Sequence, residues 1–421
     1  MKITFKQALD IQLQLPLHTI QAFTAKLDQY FSRIDDSNPL ENLSLLATFK
    51  DHFPDWEDRV RHNLRLLQQD LHTGIYDSVF MYGGFAEVGI VLSRFVGKID
   101  GVDQFVDYIN SQIAEGVEAL LADIDHSQNN CEFIYGLAGT LRYTLSQKYR
   151  PMRRVSEQIV TALVARSQAK NILGHVVPGW HYYPDAMEME YMTDKPDHGV
   201  INYGLSHGMA GPLAALAMAY GKGIRVEGLE DAVQGLFSIY RQGAYAVDGI
   251  PHWPGRIPIE DYIEETPHKH PRQQSWCYGS LGILQAMHNA AKQMGYEKEE
   301  DYATEALIKI ADLPIPDYLL HAPIICHGYA GTVSVMDSMS KNIFYDMKNA
   351  KKLMQAGMAQ AILCIEAFIA ADFDHIEPDK AKRVDMFSYL EGWSGVLQTL
   401  ASFLVDASAW HKARLFVCMT S

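Results

Sequence analysis

Two kinds of apolar pattern alternate along the chain. In segments such as Val155 to Arg166, apolar Val155, Ile159, Ala162 and Leu163 recur along one stripe, with Arg154, Glu157 and Arg166 off it. That spacing predicts an amphipathic helix. In segments such as Leu213 to Ala219 there is almost no polar face, and a helix apolar all round is buried on every side. Period-two alternation is scarce, confined to short patches near His175 to Tyr183. Helices packed on helices are the expectation.

A short motif punctuates this pattern: Gly, two residues, Gly, then an apolar run. It occurs at Gly136–Gly139, Gly208–Gly211, Gly279–Gly282, Gly328–Gly331 and Gly392–Gly395. Ala86-Glu87-Val88-Gly89 reads as a further copy with Ala in the first slot, and Asn42-Leu43-Ser44-Leu45 as a decayed first one. Successive copies lie 50, 72, 71, 49 and 64 residues apart. A period near 50 with insertions marks one supersecondary unit repeated. Each unit reads as a buried helix after the glycines and an amphipathic one before them. The predicted fold is therefore all-α: an α/α toroid of about seven helix pairs, one domain over residues 1–421. The glycines would let backbones approach where loops enter the inner helices, and the loops would converge on one end. An open solenoid satisfies the same pattern, so closure stays open. The wide intervals hold Pro- and Gly-rich material, predicting an inserted loop or small module at 168–200 and a loop near the active site at 247–275.

Composition narrows the function. About 48% of the 421 residues are hydrophobic and 21% charged, enough apolar content for a large core. The net charge of −15 argues against a nucleic-acid backbone as partner. It would suit a peptide carrying basic residues. The N-terminal residues lack the apolar run of a signal peptide, and no uninterrupted apolar stretch approaches a membrane span. Five cysteines, an odd number, are spread from Cys131 to Cys418. A disulfide scaffold is disfavoured, and a reducing, cytoplasmic location is expected. Cys131, Cys364 and Cys418 read as packing residues.

Three copies carry reactive residues beside their glycines: Ser206-His207-Gly208, Trp276-Cys277-Tyr278-Gly279 and Cys326-His327-Gly328. Loops converging on one end would gather Cys277, Cys326, His327 and His207. Two thiolates and an imidazole are a known zinc ligand set, and three protein ligands leave a fourth position for substrate. The two thiolates would neutralise the ion and keep a bound substrate thiolate nucleophilic, favouring thiol alkylation or addition over hydrolysis. Coincidental burial of the same cysteines and histidines is the bland alternative.

In order and spacing, these segments with Gly204-Leu205-Ser206-His207-Gly208 resemble the three signatures of the lanthipeptide cyclase (LanC) family, across roughly residues 40–400. The resemblance implies a seven-plus-seven toroid with a small extra module. It implies one zinc ion held by Cys277, Cys326 and His327. The implied reaction is Michael addition of peptide cysteine thiols to dehydroalanine or dehydrobutyrine in a dehydrated, leader-bearing precursor. A dehydratase and a transporter are the expected partners. It casts His207 as the general acid, oriented by Glu132, and places Arg272, Trp276 and Tyr278 on the substrate side. Two slots depart from the family pattern. Glu132 stands where an Asp is usual, and Gln273 where relatives carry an Arg, with Arg272 one residue earlier.

Three rivals remain on the sequence. One is addition of glutathione or another separate thiol to dehydrated residues. The second is a non-catalytic peptide-binding scaffold stabilised by zinc, and the third a toroid glycosidase, which needs paired carboxylates where Glu132 reads as isolated. Nucleotide chemistry finds no P-loop or complete G-x-G-x-x-G.

Overall fold

The computed structural model describes residues 5–122, 131–148, 150–184, 196–266, 273–375 and 382–405, with 377 and 379. The helix Ala210–Gly221 is buried at every residue from Ala210 to Ala219, as its all-round apolar pattern requires. By contrast Leu229–Gly243 buries Leu229, Ala232, Val233, Leu236, Phe237 and Tyr240, the i, i+3, i+4, i+7 stripe of a helix with one wet face.

Seven helices of the first kind form the inner layer among the described residues: Pro39–Thr48, Phe85–Leu92, Leu137–Thr144, Ala210–Gly221, Ser280–Met294, Tyr329–Asn342 and Trp393–Val405. Each packs against the next, and the seventh against the first, so the ring is closed. The open solenoid is excluded. The first six inner helices each lie on the outer helix that follows them in the chain. The seventh is covered by the N-terminal helix Phe5–Leu13. The closing seam is polar and buried. Ser394 Oγ donates to Glu41 Oε2 at 2.9 Å, Ser44 Oγ to Gln398 Oε1 at 2.9 Å, and Gln398 Nε2 to Ser394 Oγ at 2.8 Å. The stretch 42–45 lies in the first inner helix.

The glycines act through space rather than dihedral angle. Gly136 and Gly328 are extended, with φ of −143° and −135°. A Cβ on Gly139, Gly282, Gly331 or Gly395 would lie 2.0, 1.9, 2.2 or 1.7 Å from the carbonyl oxygen of Phe133, Trp276, Ile325 or Tyr389. In each case that carbonyl is six residues earlier, so the loop folds back onto the first turn of its own inner helix. The same test corrects the second copy. Gly84, not Ala86, caps the helix in the extended conformation, and Phe85 N–H reaches Ser78 O seven residues back, as Tyr329 N–H reaches Ala322 O. The copy therefore runs Gly84–Glu87, and a buried glutamate occupies the slot of the second glycine.

The wide intervals hold more strand than period-two alternation revealed. Lys170–Ile172 pairs with His175–Val177, Tyr245–Val247 with Ile250–His252, and Val200–Asn202 with Arg256–Pro258, all antiparallel. Three-residue strands are too short to show periodicity. The last pairing joins the two insertions, with Asn202 opposite Arg256. One described helix, Met347–Ala370, is long and apolar enough to cross a membrane by length and composition. One face of it, including Leu353, Gly357, Ala361, Cys364 and Phe368, is buried, and it packs on the sixth inner helix.

Two outcomes test this packing. Gly395→Ala should lower stability by roughly 1–3 kcal/mol or more through overpacking. Gly235→Ala, in an exposed helix position with nothing near its would-be Cβ, should raise it by about 0.5–1 kcal/mol; thermal unfolding compares the two. Burial on the fifth inner helix, with Lys292 adding to it, pushes His288 down to about 4 from 6.5. The unfolded chain then binds more protons between these values, so stability is full above about pH 6.5 and is lost as pH falls towards 4. His288→Gln should flatten part of that slope in unfolding curves taken across the window.

Candidate active site and metal centre

The loops that precede the inner helices are tied edge to edge by backbone hydrogen bonds. Tyr82 N–H donates to Ile134 O at 3.2 Å, and Phe133 N–H to Ser206 O at 3.2 Å. Leu205 and Ser206 N–H donate to Cys277 O at 2.7 and 3.2 Å, and Cys277 N–H to Cys326 O at 3.1 Å. Cys326 N–H closes on Leu390 O at 2.9 Å. This rim holds the two residues before each first glycine in equivalent positions, which brings together side chains from residues 82 to 391.

Cys277, Cys326 and His327 sit side by side on it, their ligand atoms within 4.8 Å of one another. A tetrahedral zinc, with bonds of about 2.0–2.3 Å, needs such atoms roughly 3.5 Å apart, so the set fits with a small contraction. Its chemistry fits too. A hydrogen bond from the Cys326 thiol, helped by Ser275 and by His207, holds the Cys277 thiol below its ordinary range. The same bond and burial push Cys326 well up. A cation between the two neighbouring sulfurs, Cys277 buried and Cys326 partly so, would favour the thiolate form of both. Burial pushes the His327 imidazole down, against the pull of Glu391, the direction that favours the neutral form a metal ligand needs.

His207 belongs to the neighbouring loop. Its Nδ1 lies 3.3 Å from Glu132 Oε2. Glu132 is held by its own turn: its carboxylate accepts the N–H of Ile134 at 2.6 Å and that of Tyr135. The longer side chain at this slot therefore folds back over its loop and still meets the histidine. The His207 ring neighbours those of Tyr135 and Tyr278, at centroid distances of 5.7 and 6.5 Å.

The remaining expected residues divide. Tyr278 accepts a hydrogen bond from Asn202 Nδ2 at 3.2 Å and is partly buried. Trp276 is fully buried and packs edge-on to Phe133 at 6.2 Å, and it borders the same cleft as His207 and Cys326. Arg272 lies outside the described residues, as does Cys418. Arg256 was missed; its guanidinium lies 5.9 Å from the Tyr278 ring centroid, carried there by the strand pairing with Asn202. Nothing in the sequence signals that contact. Cys364 is a buried packing residue and Cys131 is partly buried.

A cleft of about 480 Å³ opens at this end of the ring, lined by His207, Cys326, Tyr135 and Ser206 among others. Glu41, Glu87 and Glu391 also line it, so the carboxylates are not confined to Glu132. The sequence did carry a signal for Glu391 and Tyr135. Each stands directly before the first glycine of its copy, the slot of His207, Tyr278 and His327.

A closed double ring of helices with a cysteine–cysteine–histidine cluster on its loop rim defines a class, and the comparisons specify it. The family described as lanthionine synthetase C-like protein matches residues 43–415, and the chain belongs to that family. The nisin biosynthesis protein NisC of Lactococcus lactis subsp. lactis is 22% identical over 382 residues, covering 87% of this chain and 84% of its own. The solved structure of a nisin cyclase superposes with a TM-score of 0.75 at 18% identity, covering 95% of this chain and 96% of that one, and shares the fold.

Glu132→Ala should leave two N–H groups of the rim without their acceptor and lower stability by about 1–3 kcal/mol. Glu132→Gln, which keeps one carbonyl acceptor, should cost less; chemical denaturation ranks the pair.

Proposed function

We propose that the chain is a zinc-dependent lanthionine synthetase, joining cysteine thiols to dehydroalanine or dehydrobutyrine within a dehydrated precursor peptide. The observation that carries this reading is the convergence of Cys277, Cys326 and His327 beside the Glu132–His207 pair on one rim. Zinc held by those three ligands would supply the charge that lets a peptide thiol lose its proton near neutral pH while remaining nucleophilic. The protein's own residues do the rest. The cleft brings the alkene to the thiol, and sulfur bonds to the β-carbon while the π electrons move towards the carbonyl as an enolate. The α-carbon then needs a proton. Glu132 engages His207 at Nδ1, which leaves Nε2 to deliver it, and the carboxylate stabilises the imidazolium before transfer. The rings of Tyr135 and Tyr278 both neighbour the imidazole. A dehydratase upstream and an exporter downstream are the partners such a reaction would need.

Elemental analysis should find one zinc per chain, lost in Cys326→Ala and kept in His207→Asn. With a dehydrated peptide, His207→Asn should lower the rate of thioether formation by roughly 10²–10⁴-fold, followed by mass spectrometry after alkylation of free thiols. Protein that takes up no zinc would refute the thiol-activation mechanism. Thioethers formed only with an added small thiol would replace ring closure by intermolecular addition.

A further inference from the structure

The loop repeat equates Glu391 and Tyr135 with His207, since all three occupy the position before a first glycine and line one cleft. Glu391 is exposed, its backbone fixed by N–H donation to Ser388 Oγ at 3.1 Å and by acceptance from Asp385 N–H at 2.8 Å. Tyr135 is 55% exposed, although Ile134 beside it is buried. Glu41 and Glu87 add two carboxylates, positioned by Ser394 Oγ and by Gly83 N–H. Tyr76, Tyr82 and Tyr389 add aromatic lining, and among the described residues no lysine or arginine lines the cleft. Ser206 also lines it. Its Oγ is buried without a hydrogen-bond partner, in a residue only 2% exposed. A dry polar atom of that kind needs an explanation, and a ligand group entering the cleft supplies one.

Carboxylates, aromatic faces and an unsatisfied hydroxyl around a concave space are the chemistry that recognises an organic cation. A metal ion fits less well. Among the described residues, only Cys277, Cys326 and His327 bring ligand atoms close enough to hold one. We propose that this cleft is a cation subsite that takes the ammonium or guanidinium of a lysine or arginine near the reacting cysteine of the substrate peptide. It rests on the peptide-cyclase reading and adds a specificity to it: the substrate brings the positive charge that the cleft lacks.

The test uses zinc-supplied protein and two fluorescein-labelled cysteine peptides that carry no dehydrated residue, identical except for lysine or norleucine two positions from the cysteine. Fluorescence anisotropy should show the lysine peptide binding about tenfold tighter at low ionic strength, with the difference shrinking as salt screens it. Glu391→Gln should abolish most of that difference, and Tyr135→Ala should reduce it. Both variants are checked for zinc content and melting temperature. Equal binding of the two peptides by the wild type, or equal weakening of both by Glu391→Gln, would overturn the subsite. Cyclisation of a dehydrated peptide is measured separately. A lysine preference without cyclisation would overturn the cyclase reading and leave the subsite standing, and cyclisation without the preference would do the reverse.

Discussion

Much of this molecule depends on the close approach of the rim loops to the helices they introduce. Four carbonyl oxygens occupy the space where a Cβ of Gly139, Gly282, Gly331 or Gly395 would lie. In those four copies the contact turns the loop back on itself and presents the residues before the first glycine at a constant position; in the copy carrying His207 the equivalent carbonyl, of Leu205, stands off at 3.3 Å. The loops can then share backbone hydrogen bonds, and N–H and C=O groups that would otherwise be orphaned at the helix entrances are satisfied by the next loop along. A repeat that packs only against its neighbours thereby acquires a common functional edge.

Precision at the site follows from this backbone edge. The backbones of Cys277 and Cys326 are joined by a main-chain hydrogen bond, which holds the two side chains on adjacent rim positions. His207 meets Glu132 because the segments bearing them are joined at Phe133 and Ser206. The one-methylene extension at Glu132 is accommodated because two N–H groups of its own turn hold the carboxylate. Chemistry spread over some 260 residues of sequence is thus held by short-range contacts.

The ring also explains why carboxylates gather where none were expected together. Glu41 belongs to the closing seam, Glu87 replaces a glycine in the second copy, and Glu391 precedes one in the last. Each has a separate place in the sequence, and closure brings all three to one cleft. The surplus of carboxylates beside the cysteine–cysteine–histidine cluster is an electrostatic demand on whatever enters the cleft.

Periodicity and the glycine spacing sufficed for the helical class, the approximate repeat number and the Cys277–Cys326–His327–His207 constellation, because the period of side-chain burial and the need for glycine are local properties. The resemblance of the motif segments then supplied the family. Closure of the ring, the register of the copy at Gly84, the short strands, the burial of Trp276 and the approach of Arg256 to Tyr278 were decided only by the tertiary structure. Each is a contact between residues far apart in the chain, or a strand of three residues with no period to read. Hydrophobic pattern reports that a side chain is buried, but not which distant surface buries it.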